Sequence, residues 1–384
     1  MKIAVLGVGT TKFGELWEVS PRTLVKEAVN EALEDAKLSL TDIEALYVGN
    51  MLSGILGAQE NLGALFADEL GMSVPAFKIE GACASGGLAV HNAVNSVLAG
   101  THKTVLVVGI EKMTDHDPSE IAHALMAGGH DEERASGVTF PGLYALLARA
   151  HMEKYKTTEK DLATVSVKNH YHASLNPKAQ FQFEISIDQV LASPLIADPL
   201  RLLHCSPISD GAAVIIIGDT RKQKLGSRKP VYITASSVAT NSLGLAQRKD
   251  LTALQAVQLA AKKAYRVADV KPQNIDVAEV HDCFSIAEII ACEDLGFFGK
   301  GKAAREIGKG ETRLGNGRPV VNPSGGLKAC GHPVGATGVK QIAEVVSQLR
   351  SEAGARQVKG AKIGLTHNVG GSGAIAVIHI LKNE

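Results

Sequence analysis

Two segments of this chain repeat one pattern, and that repetition limits the folds open to it more than any other feature. In residues 27–50 and again in residues 255–282, an Ala-rich amphipathic helix is followed by a polar turn, an Asp-Ile or Ile-Asp pair and a short strand. Residues 209–219 and 371–381 each lead from small residues into β-branched residues, which is typical of a buried strand. The repeats lie too far apart for a solenoid, so we predict two similar α/β halves packed together.

The domain organisation follows from this repeat. A chain of 384 residues exceeds the length at which a single hydrophobic core usually stops growing. We place the N-terminal half at residues 1–225 and the C-terminal half at residues 229–384, with a polar, Lys- and Arg-rich connection at 218–230. Residues 114–200 have no counterpart in the second half and include a Gly-rich stretch. We interpret them as an inserted loop domain that carries substrate contacts.

Charge and composition exclude several classes of protein. Lys plus Arg and Asp plus Glu both total 40, and aromatic residues make up 4%, so neither nucleic acid nor a membrane is an expected partner. No run approaches the ~18 apolar residues of a membrane span. The N-terminus is typical of a first strand rather than a signal peptide, which predicts a cytoplasmic protein. Gly7 and Gly9 open a dinucleotide-binding pattern whose third glycine position holds Lys12, so no nucleotide is predicted.

The cysteines are odd in number, scattered and without a C-x-x-C pair, which indicates free thiols in a reducing compartment and predicts no metal site. They are Cys83, Cys205, Cys283, Cys292 and Cys330. Cys83 stands in KIEGACASGG, between an extended run and a stretch with helical periodicity, so we expect it at a strand-to-helix turn. The positive end of a helix dipole lowers a thiol pKa and offers amides to an oxyanion. A buried structural cysteine is the alternative, but the small neighbours leave room for a substrate.

Two further motifs carry groups that can take part in proton transfer. His332 lies between Gly331 and Pro333 in a glycine-rich loop, which favours a positioned base over an ordinary core or surface histidine. His281 and Cys283 follow a strand in the stretch EVHDCF, where Asp282 is interpreted as a residue that orients or caps. Residues 366–373 form a glycine-rich turn whose amides either receive negative charge or only turn the chain.

In these motifs and in their order the chain resembles the thiolase superfamily over essentially its full length. The C-A-S of residues 83–85 matches the family's C-x-S motif with the nucleophilic cysteine, and the G-H-P of residues 331–333 matches its base. Many thiolases carry a second catalytic cysteine in a C-x-G-G-G motif, whereas residues 368–372 read N-V-G-G-S. Residues 281–284 read H-D-C-F where many thiolases have N-E-A-F. This variant is similar to sterol-carrier-protein-type and archaeal thiolases, in which the second thiol comes from this motif.

The resemblance implies a fold and a role for each candidate residue. The implied fold is α/β and duplicated: two similar βαβαβαββ halves, layered α-β-α-β-α, with an inserted loop domain. The implied roles are Cys83 as nucleophile and acyl carrier, His332 as base and oxyanion-hole donor, Cys283 as acid and base, His281 as oxyanion-hole donor, and Gly370 as an oxyanion-hole amide. Ser206 and Phe284 are weak positional matches to contacts with CoA. Cys330 is a bystander, and Cys205 and Cys292 are interpreted as packed thiols.

The implied activity is that of an acetyl-CoA C-acetyltransferase. Two molecules of acetyl-CoA would condense to acetoacetyl-CoA, or the reverse thiolysis would occur, through an acetyl-cysteine and with no cofactor beyond the CoA thioester. The resemblance also implies a homodimer or homotetramer in complex with hydroxymethylglutaryl-CoA synthase and a zinc-ribbon/OB-fold protein, supplying the mevalonate pathway.

Other functions stay open at this point. One is degradative thiolysis of longer 3-oxoacyl-CoA, and another is a thiolase-like protein that binds acyl-CoA without turnover, which the missing C-x-G-G-G cysteine favours. Ketoacyl synthases resemble the chain less because they do not need an extra thiol. Hydroxymethylglutaryl-CoA synthases need a glutamate near Cys83, and Glu80 is a poor match because we expect it in a strand.

Overall fold

The computed structural model describes residues 3–220 and 229–383, which form twelve strands and fourteen α-helices. The strands are β1 (Ile3–Thr10), β2 (Ala45–Gly49), β3 (Ala76–Ile79), β4 (Thr104–Glu111), β5 (Leu195–Ala197), β6 (Leu200–Arg201), β7 (Gly211–Asp219), β8 (Val231–Thr240), β9 (Val277–Glu279), β10 (Val320–Val321), β11 (Ile363–Gly370) and β12 (Ile375–Asn383). The helices are α1 (Pro21–Ala36), α2 (Ser53–Leu56), α3 (Leu62–Glu69), α4 (Ser85–Leu98), α5 (Pro118–Leu125), α6 (Asp131–Ala135), α7 (Phe140–Tyr155), α8 (Glu159–Ser174), α9 (Ile187–Ala192), α10 (Gln255–Ala268), α11 (Ser285–Asp294), α12 (Ala303–Gly308), α13 (Gly326–Cys330) and α14 (Val334–Arg350).

Ten of the described strands form one sheet in the order β10-β9-β11-β12-β8-β1-β7-β4-β2-β3. The first strands of the two halves, β1 and β8, meet at the centre and pair antiparallel over only two residue pairs. Outward from this junction each half repeats the same sequence of pairings. The last strand of the half is antiparallel to both of its neighbours, and the three outermost strands run parallel. The predicted duplication is therefore confirmed by the order and direction of the strands.

The helices complete the repeat and produce five layers. The N-terminal half runs β1-α1-β2-α3-β3-α4-β4-β7, and the C-terminal half runs β8-α10-β9-α11-β10-α14-β11-β12, apart from short additional helices and the inserted region between β4 and β7. Helix α1 packs on β1 and β7, and α10 packs on β8 and β12, so these helices form the outer layers. Helices α4 and α14 contact each other and strands of both halves, so they form the layer between the two parts of the sheet. The predicted α-β-α-β-α layering is confirmed.

The sequence of each helix matches its layer. Helix α1 begins after Ser20, whose hydroxyl accepts a hydrogen bond from the Thr23 amide at 3.2 Å, and its buried residues lie on one face, as an outer helix requires. Helix α14 is buried on all sides, with Ser347 the one residue of its 17 that is not fully buried. Among the described residues, no helix is both long and apolar enough to cross a membrane.

Residues 114–200 contain helices α5 to α9 and the two-stranded β5–β6 hairpin. Helices α7 and α8 of this region pack on α11 of the C-terminal half, where Leu147 and Val165 share a hydrophobic cluster with Ile286. The region therefore belongs to the first half in sequence and covers the second half in space. The predicted boundary between residues 225 and 229 falls on residues 221–228, which lie outside the described residues, so the division into 1–225 and 229–384 stays a prediction.

Candidate active site

Glycines in the two middle helices bring the predicted nucleophile and base together. A Cβ atom on Gly86 of α4 would lie 2.6 Å from the carbonyl oxygen of Gly335 in α14, and one on Gly338 would collide with the amide of Gly87. Only glycine permits so close an approach of two backbones. Cys83 stands just before α4 and His332 just before α14, so the contact between these helices places both residues at one site.

Cys83 lies in a tight turn between β3 and α4, as the sequence predicts. The preceding residue, Ala82, has φ of 52°, a left-handed conformation that is uncommon for a residue with a side chain. The Ser85 hydroxyl holds this turn because it accepts from the Gly81 amide at 3.0 Å and donates to the Ala82 carbonyl at 2.6 Å. Burial raises the pKa of the Cys83 thiol to about 12, although the backbone amide of Gly371 opposes the shift by hydrogen bonding to the sulfur. The resting nucleophile is a thiol that needs a base.

His332 is held from two sides. Its backbone N–H donates to the Ser209 hydroxyl at 3.0 Å, and its Nδ1 lies 2.7 Å from the Thr337 hydroxyl. Since the Thr337 hydroxyl donates its own proton to the Pro333 carbonyl at 2.9 Å, it must accept from His332, which puts the imidazole proton on Nδ1. Nε2 then keeps its lone pair. Burial lowers the pKa of His332 to about 3, so the imidazole is neutral and able to act as a base.

His281 faces His332 edge to face, with ring centroids 5.0 Å apart and an interplanar angle of 85°. One ring nitrogen of each histidine and the Cys83 sulfur lie within 4.8 Å of one another. The Nε2 atom of His281 is buried and has no hydrogen-bond partner within the described chain. Burial lowers the pKa of His281 well below its usual value, and His332 and His367 add to the effect. This unpartnered nitrogen is available to a substrate.

Cys83, His281 and His332 are also the one group of three potential metal ligands with donor atoms this close in residues 3–220 and 229–383. A thiol and two neutral imidazoles suit a soft transition metal as well as they suit proton transfer. The sequence predicts no metal here, and that expectation stays a prediction.

Cys283 lies in the same pocket and brings in a residue that the sequence analysis missed. Its thiol is within hydrogen-bonding reach of the Tyr144 hydroxyl and close enough to Cys83 for the charge of one sulfur to influence the other. The Tyr144 hydroxyl also donates to the Gly371 carbonyl at 3.2 Å, and its ring packs on Phe284 with centroids 4.6 Å apart. Burial raises the pKa of Cys283 well above its usual value. Tyr144 belongs to α7 in the inserted region, and its local sequence LYALL predicts only a packed helix.

The glycine turn after β11 contributes a backbone amide to the Cys83 sulfur. The N–H that reaches this sulfur belongs to Gly371, the residue after Gly370. A side chain at Gly370 would collide with the Gly81 carbonyl, so this position needs glycine for close packing. The predicted role of Gly370 concerns the oxygen of a bound substrate and stays a prediction.

The two residues proposed for CoA contact lie beside Cys283. The Ser206 amide donates to the Cys283 carbonyl at 2.9 Å, and Phe284 is buried, with 7% of its surface exposed. Their contact with CoA stays a prediction.

Two buried carboxyls support the site from outside the pocket. Asp282 accepts hydrogen bonds from the amides of Leu327 at 2.6 Å and Lys328 at 3.3 Å, so it caps α13 as the sequence analysis suggested. Glu111, at the end of β4, accepts from the amides of Met51, Leu52 and Gly335 and from the Asn50 side chain. Burial raises the pKa of Glu111 to about 7 in spite of these donors. Glu111 ties the beginning of α14 to the N-terminal half and was not anticipated.

The other three cysteines contribute no thiol to the pocket. Cys292 and Cys330 are buried, and the Cys330 sulfur accepts from Asn176 at 3.6 Å. Cys205 is half-buried, and its thiol donates to the Arg201 carbonyl at 3.4 Å. The structure thus brings Cys83, His281, Cys283 and His332 together and leaves the remaining thiols apart.

Comparison with known proteins agrees with this geometry. Residues 3–221 match the family described as Thiolase, N-terminal domain, and residues 237–383 match Thiolase C-terminal domain-like. A protein of Methanothermobacter thermautotrophicus named acetyl-CoA acetyltransferase is 50% identical over 98% of both chains. One of the same name from Methanocaldococcus jannaschii is 43% identical over 100% of this chain and 99% of its own. A solved structure described as Ltp2-ChsH2(DUF35) aldolase superposes with a TM-score of 0.84 over 100% of this chain and 98% of that one, at 24% identity, and shows likeness of fold alone.

Proposed function

This chain belongs to the thiolase family, and from that premise we propose that it is an acetyl-CoA C-acetyltransferase. The reaction is the condensation of two acetyl-CoA molecules to acetoacetyl-CoA and CoA, together with the reverse thiolysis. The names of the relatives at 50% and 43% identity over the full chain support this substrate. The observation that carries the proposal is the meeting of two thiols, Cys83 and Cys283, from opposite halves of the chain beside two neutral imidazoles.

The chemistry explains why two thiols are needed. One sulfur must hold an acetyl group, and it cannot act as a base while it is acylated. A second group must then remove a proton from the methyl carbon of the next acetyl-CoA. We assign the first task to Cys83, which follows a strained turn, and the second to Cys283, next to Tyr144.

In the first half-reaction the Cys83 sulfur attacks the thioester carbonyl of acetyl-CoA while His332 Nε2 takes its proton. Burial keeps both groups neutral at rest, so the proton moves as the carbon–sulfur bond forms. The carbon–sulfur bond to CoA breaks, and the departing CoA thiolate takes the proton of the Cys283 thiol. Acetyl-Cys83, a Cys283 thiolate and a protonated His332 remain.

In the second half-reaction the Cys283 thiolate removes a proton from the methyl group of a second acetyl-CoA. His281 and His332 donate hydrogen bonds to the thioester oxygen, where the enolate charge develops. The enolate carbon attacks the acetyl carbonyl, the bond to Cys83 breaks, and His332 returns its proton to the Cys83 sulfur. Both thiols and the neutral imidazole are restored, so the protons balance over the cycle.

The first test is covalent labelling with radiolabelled acetyl-CoA, followed by peptide mapping. We expect label on Cys83 and none on the half-buried Cys205, whose Cys205→Ser variant serves as the control for non-specific reaction of an accessible thiol. An unlabelled protein that still binds acetyl-CoA would favour the second candidate, a thiolase-like binder without turnover. The Asn368 that replaces the usual second cysteine motivates that candidate.

A second experiment separates biosynthetic from degradative use. Rates of thiolysis are measured with acetoacetyl-CoA and with 3-oxoacyl-CoA of increasing length. We expect acetoacetyl-CoA to be preferred, because the packed rings of Tyr144 and Phe284 stand next to Cys283, where a longer acyl chain would need room. A strong preference for six carbons or more would replace our proposal with degradative thiolysis.

For the assembly, we propose a homodimer or homotetramer in the cytoplasm that supplies acetoacetyl-CoA to hydroxymethylglutaryl-CoA synthase and the mevalonate pathway, with a zinc-ribbon/OB-fold protein in the complex. Strand β3 lies at the edge of the sheet and Phe77 on it is 43% exposed, which favours pairing of β3 with a second copy. The description Ltp2-ChsH2(DUF35) aldolase names a second component for that structure of the same fold, which supports a partner protein in our proposal. Light scattering and co-purification with the synthase test these assignments.

A further inference from the structure

We propose that Asn368 is a positioning residue that holds His281 in the tautomer with its proton on Nε2, so that His281 presents a hydrogen-bond donor to the substrate oxygen. The inference rests on the proposed function, because the oxygen in question belongs to the thioester. It gives a purpose to the position at which many thiolases have their second catalytic cysteine.

The orientation of the Asn368 side chain is determined by two backbone groups of the N-terminal half. Its Oδ1 accepts from the Gly87 amide at 3.1 Å, and its Nδ2 donates to the Cys83 carbonyl at 3.0 Å. A backbone N–H can only donate and a carbonyl can only accept, so a flipped amide would lose both bonds. Asn368 is 1% exposed, so no solvent could replace the two lost hydrogen bonds of a flipped side chain.

This orientation determines the tautomer of His281. The Asn368 Nδ2 lies 3.2 Å from His281 Nδ1, and an NH₂ group offers only donors. Nδ1 must therefore accept, which leaves the proton of the neutral ring on Nε2. That atom has no partner in the described chain. Neutrality follows from burial, which lowers the pKa of His281.

Within residues 3–220 and 229–383, no neighbouring group imposes the opposite tautomer on His281. The backbone N–H of His281, not its ring, donates to His367 Nδ1 at 3.2 Å. The ring of His332 meets that of His281 edge to face, and its own proton is held on Nδ1 by Thr337. The two imidazoles thus present unlike groups to the pocket, a bare Nε2 on His332 and an Nε2–H on His281. A pair with the same tautomer would provide only a base or only a donor.

The direct test is ¹⁵N NMR of the full chain labelled at histidine, with the His281 signals assigned by their loss in His281→Asn. We expect a protonated Nε2 and an unprotonated Nδ1 in the unsubstituted protein. In Asn368→Asp the carboxylate can only accept, so the proton should move to Nδ1 or the ring should become charged. Asn176→Asp, at another buried asparagine that bonds to the Ser324 carbonyl, should leave the His281 signals unchanged.

A kinetic comparison separates positioning from a merely structural role. In Asn368→Asp, exchange of the acetyl-CoA methyl protons with D₂O should fall on the order of 100- to 1,000-fold, the usual effect of losing one oxyanion-hole donor. Acetylation of Cys83 should change far less.

A proton on Nδ1 of His281 in the unsubstituted protein would overturn the inference, as would an equal loss of acetylation and exchange in the variant. Failure of the proposed function would give a different result. A protein in which Cys83 is never acetylated would disprove the proposed function, but the tautomer of its His281 could still be measured by NMR.

Discussion

The two halves of the molecule share one order of strands and helices but place different chemistry at equivalent positions. The connection from the third strand to the helix of the middle layer, α4 or α14, carries Cys83 in the N-terminal half and His332 in the C-terminal half. The next strand ends in Glu111 in the first half and in Gly370 in the second. The Glu111 carboxylate accepts hydrogen bonds from backbone amides of both halves. Gly370 has no side chain, and the backbone amide of the next residue, Gly371, donates to the Cys83 sulfur instead.

This contrast teaches how a duplicated fold yields an asymmetric site. The repeat supplies two turns at the carboxyl ends of parallel strands, where α/β proteins commonly bind ligands. The glycine contact between α4 and α14 makes those turns meet. One turn can then provide a nucleophile and the other a base, because each half is free to change its polar residues while the packing stays the same. Four experiments test that division of labour.

The largest effect is expected from removing the sulfur of Cys83, the reactive cysteine of the N-terminal half. Cys83→Ala should lower kcat for acetoacetyl-CoA thiolysis by on the order of 10⁴- to 10⁶-fold, because the other thiol at the site, Cys283, is needed as the base and cannot hold the acetyl group at the same time. Steady-state assays measure the loss, and Cys205→Ala is the control. If the alanine variant turned over at a rate near that of the unsubstituted chain, Cys83 would not be the acyl carrier.

Removing the sulfur of Cys283 in the C-terminal half should slow only the second half-reaction. In Cys283→Ala, condensation and methyl-proton exchange should fall by about 10²- to 10⁴-fold, the usual contribution of a general base. Acetylation of Cys83 should persist, since a thiolate leaves without protonation far more readily than a methyl group loses a proton. Quenched-flow labelling and deuterium exchange separate the two steps. Equal losses in both would mean that the halves do not divide the reaction as we describe.

A smaller effect is expected from substituting Tyr144, whose hydroxyl lies within hydrogen-bonding reach of the Cys283 thiol. Tyr144→Phe keeps the ring packed on Phe284 but removes the hydroxyl within reach of Cys283. The single Tyr144 hydroxyl proton faces the Gly371 carbonyl while Cys283 is a thiol and turns to the sulfur when Cys283 becomes a thiolate. A hydrogen bond to a charged group contributes about 1.5–3 kcal/mol, so proton exchange should fall by about 10- to 150-fold as the thiolate loses this donor. The exchange rate should also need a higher pH to reach its plateau. An unchanged pH profile would limit Tyr144 to packing.

Acid should act on both halves through stability rather than rate. The C-terminal half buries four histidines whose pKa is lowered in the fold, to about 3 for three of them. They are His281, His332, His367 and His379. Burial also lowers the pKa of three histidines of the N-terminal half, which are His170, His172 and His204. Unfolding lets each bind a proton below its ordinary pKa of 6.5, so stability is full above pH 6.5 and falls as the pH is lowered, by about 1.4 kcal/mol per pH unit for each histidine.

The buried carboxyl group of Glu111 has the opposite effect on stability. Its pKa in the fold is about 7, above the ordinary 4.5, so the folded state binds the extra proton and gains stability as the pH falls through that window. Buried Asp282 and Asp294, whose pKa values are also raised, act in the same direction. Urea unfolding at several pH values between 7 and 5 should therefore show net loss of stability in acid and a steeper loss in Glu111→Gln. A stability that rises in acid would contradict the assignment of neutral histidines.

Much of the fold was accessible from the sequence because it is encoded by neighbours along the chain. The repeat of helix, polar turn and strand at residues 27–50 and 255–282 predicted two α/β halves, and both copies have that structure as α1–β2 and α10–β9. Small residues around Cys83 and glycines around His332 likewise indicated turns that expose a reactive side chain. These features depend on local conformational preference and hydrophobic period, which a linear pattern contains.

Tertiary structure alone decided which hydrogen-bond partners the reactive groups have. Tyr144 reaches Cys283 from an inserted helix, the Gly371 amide rather than that of Gly370 reaches Cys83, and Asn368 joins Gly87, Cys83 and His281 across the two halves. Each of these contacts links residues far apart in sequence. A hydrogen bond depends on positions to within a few tenths of an ångström, and those positions come from the packing of whole layers, which no short stretch of sequence specifies.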